Sequence, residues 1–248
     1  MFANFGHFLS VLSDGLAPTI ELTIGGILLA IVMSFVAGLA NTAGPVWVRV
    51  IVRIYVEGWR GTSELVQLLW IYFALPLLLG LQIVPIWAGT IVLGLNHGAY
   101  GAEIVRGAVQ SVAPEQVEGA VALNLTPAQR MVHVVLPQAV VEMIPSFNTL
   151  FIQLLKATSI VSLITVPELT YQVKQILVPT FSAQKPLIFL MVLVIYLLLS
   201  ILITLVMRWA ERVAARRIGR RPIRRRNLPD LETLLANPVR AGGLAGGA

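Results

Sequence analysis

Cysteine is absent from this sequence and charge is scarce, with 12% of residues charged against 57% hydrophobic. Without a thiol there is no disulfide framework, no thiolate metal site and no cysteine nucleophile, so the redox compartment cannot be read from composition. Histidine is nearly as rare. His7, His97 and His133 are too dispersed for a histidine-based metal site, and no H-E-x-x-H pair occurs. A Gly-rich phosphate loop of the G-x-x-x-x-G-K-[ST] type is also missing, which places any ATP chemistry on another chain. The first 17 residues hold no Lys or Arg, so the positively charged start of a cleaved signal is not expected.

What is present is long apolar sequence. Five stretches read as membrane spans: residues 18–40, 63–79, 85–106, 146–166 and 187–207. The first would be roughly 34 Å long at helical rise, enough for a hydrocarbon core of about 30 Å. The second is short and carries Glu64 and Gln67, and the third carries Asn96, His97 and Glu103, which a bundle interior can hold. Positive charge sorts the connections. Fifteen of the eighteen Lys and Arg residues fall in segments 41–62, 106–136 and 208–248, leaving Lys174 and Lys185 on the other side and Lys156 within a span. Basic residues gather on the cytoplasmic side, so the N-terminus is expected outside and the C-terminus inside. Arg208 to Arg226 holds nine of these residues just after the last apolar run. That is a stop-transfer pattern, and no aromatic or Gly-rich RNA-binding pattern accompanies it, so nucleic acid is excluded as a partner.

The expected organisation is an external segment over 1–17, a membrane domain over 18–212 and a basic, weakly ordered tail over 213–248, with a possible helical turn at 231–236. The connection 107–145 is too long to be a mere link. Glu118 to Asn124 can form a short helix, Thr126 and Pro127 supply a cap followed by proline at the first helical position, and Pro137 should end or kink the helix begun there.

Glu118-Gly119-Ala120-Val121-Ala122-Leu123-Asn124-Leu125, continuing to Val135-Leu136-Pro137, resembles the cytoplasmic EAA loop of bacterial ABC importer permeases. Four further segments resemble the polar amino-acid branch of that family, the histidine and glutamine permeases. They are Tyr55 to Thr62, Ala99 to Gly107, Leu136 to Ala139 and Leu155 to Ser159. The likeness covers about residues 15–212.

The resemblance implies an all-α, polytopic type I permease of about five transmembrane helices in the bacterial inner membrane. It would be one of two permease subunits, resting on separate ABC ATPase subunits that bind ATP and Mg, and receiving polar amino acids from an external solute-binding protein. Such a chain is surrounded by membrane lipid, holds no cofactor of its own and catalyses no bond chemistry. Glu118, Gly119, Ala120, Leu123, Asn124 and Pro137 would form the ATPase-coupling element. There Glu118 supplies a charge for the partner, and Gly119 and Ala120 let two backbones approach. Two residues depart from the family pattern: Gly119 replaces an alanine and Asn124 a glycine. Asparagine is the non-glycine residue best able to enter the left-handed region, so the turn at 124 stays feasible.

The translocation path draws on Asn96, Glu103, Asn148, Gln153, Lys156, Thr158 and Ser159 as candidates. Two readings compete. These residues line the path, or Thr158 and Ser159 bond to backbone carbonyls one turn back while Lys156 pairs with Glu103 or Glu142. His97 is either a proton relay or a histidine satisfied by packing. Arg60 reads as an interface anchor at a helix entry capped by Thr62 or Ser63. The branch also includes ectoine and opine carriers, and an autonomous secondary transporter is the rival of another class, although no internal repeat is visible.

Overall fold

The computed structural model describes residues 5–217, and every regular element among them is helical. α1 (Phe5–Ala43) runs 39 residues through Pro18 without a break. Its first turns bury Phe8 and Leu12 against Leu169, Val173, Leu177 and Ile188, so from Phe5 onward the expected external segment is the start of this helix.

α2 (Val46–Arg60) begins after Pro45, and the chain then bends by 101° into a second stretch, residues 64–79. That stretch comprises α3 (Glu64–Leu69), a π-helical turn (Trp70–Ala74) and α4 (Leu75–Leu79). Gly80 closes it in the left-handed conformation, φ 65°, where glycine carries no Cβ penalty. Buried polar groups lash the elbow to the next helix, α5 (Pro85–Gln110). Asn96 Nδ2 donates to Trp59 O (3.1 Å) and Gln67 Oε1 (2.9 Å), while Gln67 Nε2 donates to Trp59 O (2.8 Å). The carbonyl left orphaned where α2 ends is thereby satisfied from two sides.

α5 is the central helix, and 14 of its 26 residues are buried. Gly94, Gly98 and Gly101 recur at helical spacing, and a Cβ on any of them would run into Leu29, Met33 or Ser34 of α1. Small residues let the two backbones approach, which is how helices gain van der Waals contact where lipid removes the hydrophobic drive.

Beyond α5 lie α6 (Pro114–Ala122), α7 (Pro127–Arg130), a π turn (Met131–Val135) and α8 (Leu136–Ala157), extended as a 3-10 helix over Thr158–Ile164. Short α9 (Leu169–Tyr171), a π turn (Gln172–Leu177) and α10 (Val178–Thr180) lead to α11 (Lys185–Arg217). Each π turn ends two residues before a proline: Pro76, Pro137 or Pro179. Proline lacks the N–H and crowds the carbonyl four residues back, and a widened turn relieves both. Of the two outcomes expected at Pro137, an end or a kink, the segment does not end there. The helix passes through it into α8.

All five expected spans fall on helix. By length and apolarity, three stretches qualify alone, 6–43, 127–164 and 182–216, and α2 with residues 64–79 qualifies as a bent pair. α5 does not, because its glycines, Asn96, His97 and Glu103 dilute its hydropathy, a cost borne by burial within the bundle. Residues 213–217 belong to α11. The remainder of the expected tail, with the turn at 231–236, lies outside the described residues.

Candidate functional site

The loop after α5 takes the helix, turn, helix form that its sequence predicts. Pro114 at the first helical position starts α6, four residues ahead of the expected Glu118. Asn124 adopts φ 56°, in the left-handed region. Around it the Leu125 N–H donates to Ala120 O (3.1 Å) and the Asn124 N–H to Val121 O (2.8 Å), the bond pair of a Schellman cap. Thr126 then caps α7 in a reciprocal box with Gln129.

Glu118 and Gly119 are exposed, and Gly119 has open space where a Cβ would stand. Ala120 is 4% exposed and turned into the chain's own packing, so its small size serves the fold of the loop. Leu123 (76% exposed) and Val121 (51%) offer outward apolar surface instead. Pro137 is the second residue of α8, directly after the π turn.

A second cluster forms where α5 and α8 meet. Glu142, Ser146, Thr149, Gln153 and Lys156 are all exposed and recur every three or four residues, which places them on one face of α8. Ser146, Thr149 and Gln153 line a cavity of about 500 Å³ with Arg60, Tyr100 and Glu103. The Arg60 guanidinium lies 5.0 Å from the centre of the Tyr100 ring, a cation–π arrangement. Glu103 pairs with Arg106 at 2.6 Å, so it is not the partner of Lys156. Arg60 is the last residue of α2 and lines this cavity, which overturns its reading as an anchor at a helix entry. Ser63 holds the N-cap position of α3 without a side-chain cap bond, and Thr62 donates back to Gly58 O.

The remaining candidates separate. Asn96 is tied into the elbow network. Thr158 is fully buried and donates to Leu155 O, and Ser159 donates to Lys156 O, the backbone-bonded alternative. Asn148 is partly buried, and its Oδ1 has no partner among the described residues. His97 is buried, with Nδ1 3.0 Å from Leu93 O and 3.4 Å from Glu64 Oε1. That is the packed histidine, remote in bonding from Glu103. Sequence reasoning missed Arg60, Tyr100, Ser146 and Thr149 as a set. The period in α8 carried a signal for two of them, while the pairing with α5 and α2 is tertiary.

Near the other end of the bundle, fully buried Glu168 caps α9. Its carboxylate accepts from the Thr170 N–H (2.9 Å), the Tyr171 N–H (2.8 Å) and the Tyr196 hydroxyl (3.2 Å). Burial raises its pKa above the usual glutamate value despite these bonds.

Residues 23–216 match the family model described as the inner membrane component of binding-protein-dependent transport systems. The chain is 41% identical, over 88% of its length and 93% of the relative's, to a probable amino-acid ABC transporter permease protein of Sinorhizobium fredii. It is 34% identical to the glutamine transport system permease protein GlnP of Escherichia coli K12, covering 82% and 92% of the two chains. Among solved structures it is similar to an amino acid ABC transporter crystallised with histidines, with TM-score 0.77, 29% identity and coverage of 86% and 98%. The MetNI methionine ABC transporter shares the fold at TM-score 0.71 and 18% identity.

Proposed function

Because the chain belongs to the inner membrane components of binding-protein-dependent transport systems, we propose that it is one of two permease subunits forming a path for polar amino acids. The solute is released by an external binding protein, and a separate ATPase that binds ATP and Mg drives the cycle through the α6 loop. Ectoine-type osmolytes and opines are the alternative solutes.

The observation that carries this reading is the polar face of α8. Five polar or charged side chains lie exposed along one side of a helix of membrane length. Hydrocarbon would penalise each of them, so the face needs water or a second permease opposite it. Its neighbours Arg60 and Glu103 offer groups of opposite charge to a zwitterion. The outward side of α6, with Glu118, Gly119 and Leu123, is the docking element toward the ATPase.

The test is reconstitution of this chain with its partner permease, ATPase and binding protein in proteoliposomes. ATP hydrolysis stimulated by loaded binding protein, with solute uptake that stops when the ATPase is left out, is the expected result. Uptake by this chain alone, driven by an ion gradient, would establish the secondary-transporter alternative.

A further inference from the structure

The circumference of α2 is divided in three. Val52, Tyr55 and Val56 pack inward against Ala37 and Ala102, and Trp47, Ile51 and Ile54 are exposed and apolar. Arg49, Arg53, Glu57 and Arg60 take the third side, which faces Glu103 and Arg106 of α5 across a cavity of about 630 Å³. The arginines thus point away from the apolar outer side. Arginines anchoring lipid headgroups would flank that side, whereas these form one wall of a cavity lined by charged groups, a vestibule.

The same arginines are graded in depth. The Tyr55 hydroxyl donates to Leu95 O and the Trp59 carbonyl accepts from Asn96, both near the middle of α5. Arg49 shares its cavity with Gln110, the last residue of α5 before the coupling loop. From Arg60 to Arg49 the basic residues therefore descend roughly 17 Å at helical rise. Arg60 lines both this cavity and the one containing Thr149 and Gln153, so it joins the two.

The charges do not cancel. Arg53 pairs with Glu57 at 3.3 Å and Arg106 with Glu103 at 2.6 Å. Among the described residues Arg49 has no carboxylate partner, and Arg60 rests over the Tyr100 ring. Two guanidinium groups in excess draw in an anion, and their planar fork matches a carboxylate.

We propose that Arg60, Arg53, Arg106 and Arg49 form a carboxylate-guiding ladder in the half of the path nearest the coupling loop, taking the α-carboxylate of the departing amino acid at Arg60 and handing it toward the loop at Arg49. The proposal rests on the reading of the α8 face as the path. Glu57 and Glu103 compete for the same guanidinium groups, which keeps any one rung from retaining the solute.

The absence of cysteine makes a direct test possible in the reconstituted complex. Val50 is 52% exposed and lines the vestibule, and Ser111 lies beyond the end of α5. Val50→Cys and, as reference, Ser111→Cys are modified with sulfonatoethyl and trimethylammonium-ethyl methanethiosulfonate, and the rates are read on the permease chain by mass. The anionic-to-cationic rate ratio at position 50 should exceed that at 111 by about tenfold, the lower range of electrostatic focusing in a charged cleft. Adding Arg49→Gln and Arg60→Gln should bring the two ratios together. Millimolar glutamine should slow the anionic reagent, and glutaminamide, which lacks the carboxylate, should not. No reaction at position 50 with either reagent would remove the aqueous vestibule, and with it the path reading. Reaction without charge preference would overturn the ladder and leave the path standing. Protection by inorganic phosphate but not by glutamine would assign the site to phosphate and overturn the solute-carboxylate proposal.

Discussion

At the residue scale, Asn124 and Ala120 separate two ways in which a small motif works. Asn124 holds φ 56°, which a β-branched residue enters only at a cost of roughly 1–2 kcal/mol. Asn124→Gly should leave ATPase copurification unchanged or slightly improved, and Asn124→Val should weaken it. Gly119→Trp should abolish copurification with normal expression and an intact loop, because it adds bulk only on the outside. Ala120→Trp should instead expose the loop to limited proteolysis, since its site is inside. Resistance of Ala120→Trp to proteolysis equal to wild type would contradict the inward packing. Glu168 yields a pH prediction. Its native pKa is raised, so the stability it contributes is complete below the ordinary glutamate value and is lost as pH climbs through the raised value. Thermal melts of the wild type in detergent should show that decline relative to Glu168→Gln, which has no proton to lose. Below the ordinary glutamate value Glu168→Ala should be less stable by about 2 kcal/mol, through loss of the α9 cap, and the gap should narrow as pH climbs.

At the element scale, α8 is two-faced in a membrane. One side buries Met143, Phe147, Leu150 and Phe151 in the core, and the other exposes Ser146, Thr149, Gln153 and Lys156. Lys156→Leu should reduce uptake about tenfold, the equivalent of one charge-assisted contact near 1.4 kcal/mol, while Lys156→Arg keeps part of it. Wild-type uptake in Lys156→Leu, at normal expression, would return this face to the lipid. The α1–α5 contact predicts a different failure. Gly101→Leu should abolish accumulation of folded protein, seen as loss of a monodisperse peak in detergent, because the added chain meets Ser34 and Phe147.

For the whole molecule, the distribution of basic residues predicts N-terminus outside and the loop 107–145 inside. A cysteine at Ser111 should resist impermeant reagents in intact cells and react in inverted vesicles. Labelling in intact cells would reverse the orientation. The same arrangement puts α6, where the ATPase docks in the proposed mechanism, at the end of the vestibule that Arg49 lines. A movement of the loop would then be felt along α5 and α8, the two helices that leave it.

Local chemistry was legible in the sequence wherever it decided conformation. Thr126 with Pro127 announced a helix start, Asn124 a left-handed turn, and the apolar runs the long helices, because caps, turns and hydropathy act over a few residues. The sequence also determined the polar period of α8, although not what stands beside it. Only the tertiary structure decided that Ala120 faces inward, that Arg60 reaches from α2 into the α5–α8 cavity, and that Asn96 satisfies the elbow rather than the path. The partners of Asn96 stand 29 and 37 residues away in the chain, and Arg60 meets side chains of two later helices. A side chain's neighbours at such separations are set by how helices pack, which local propensity does not encode.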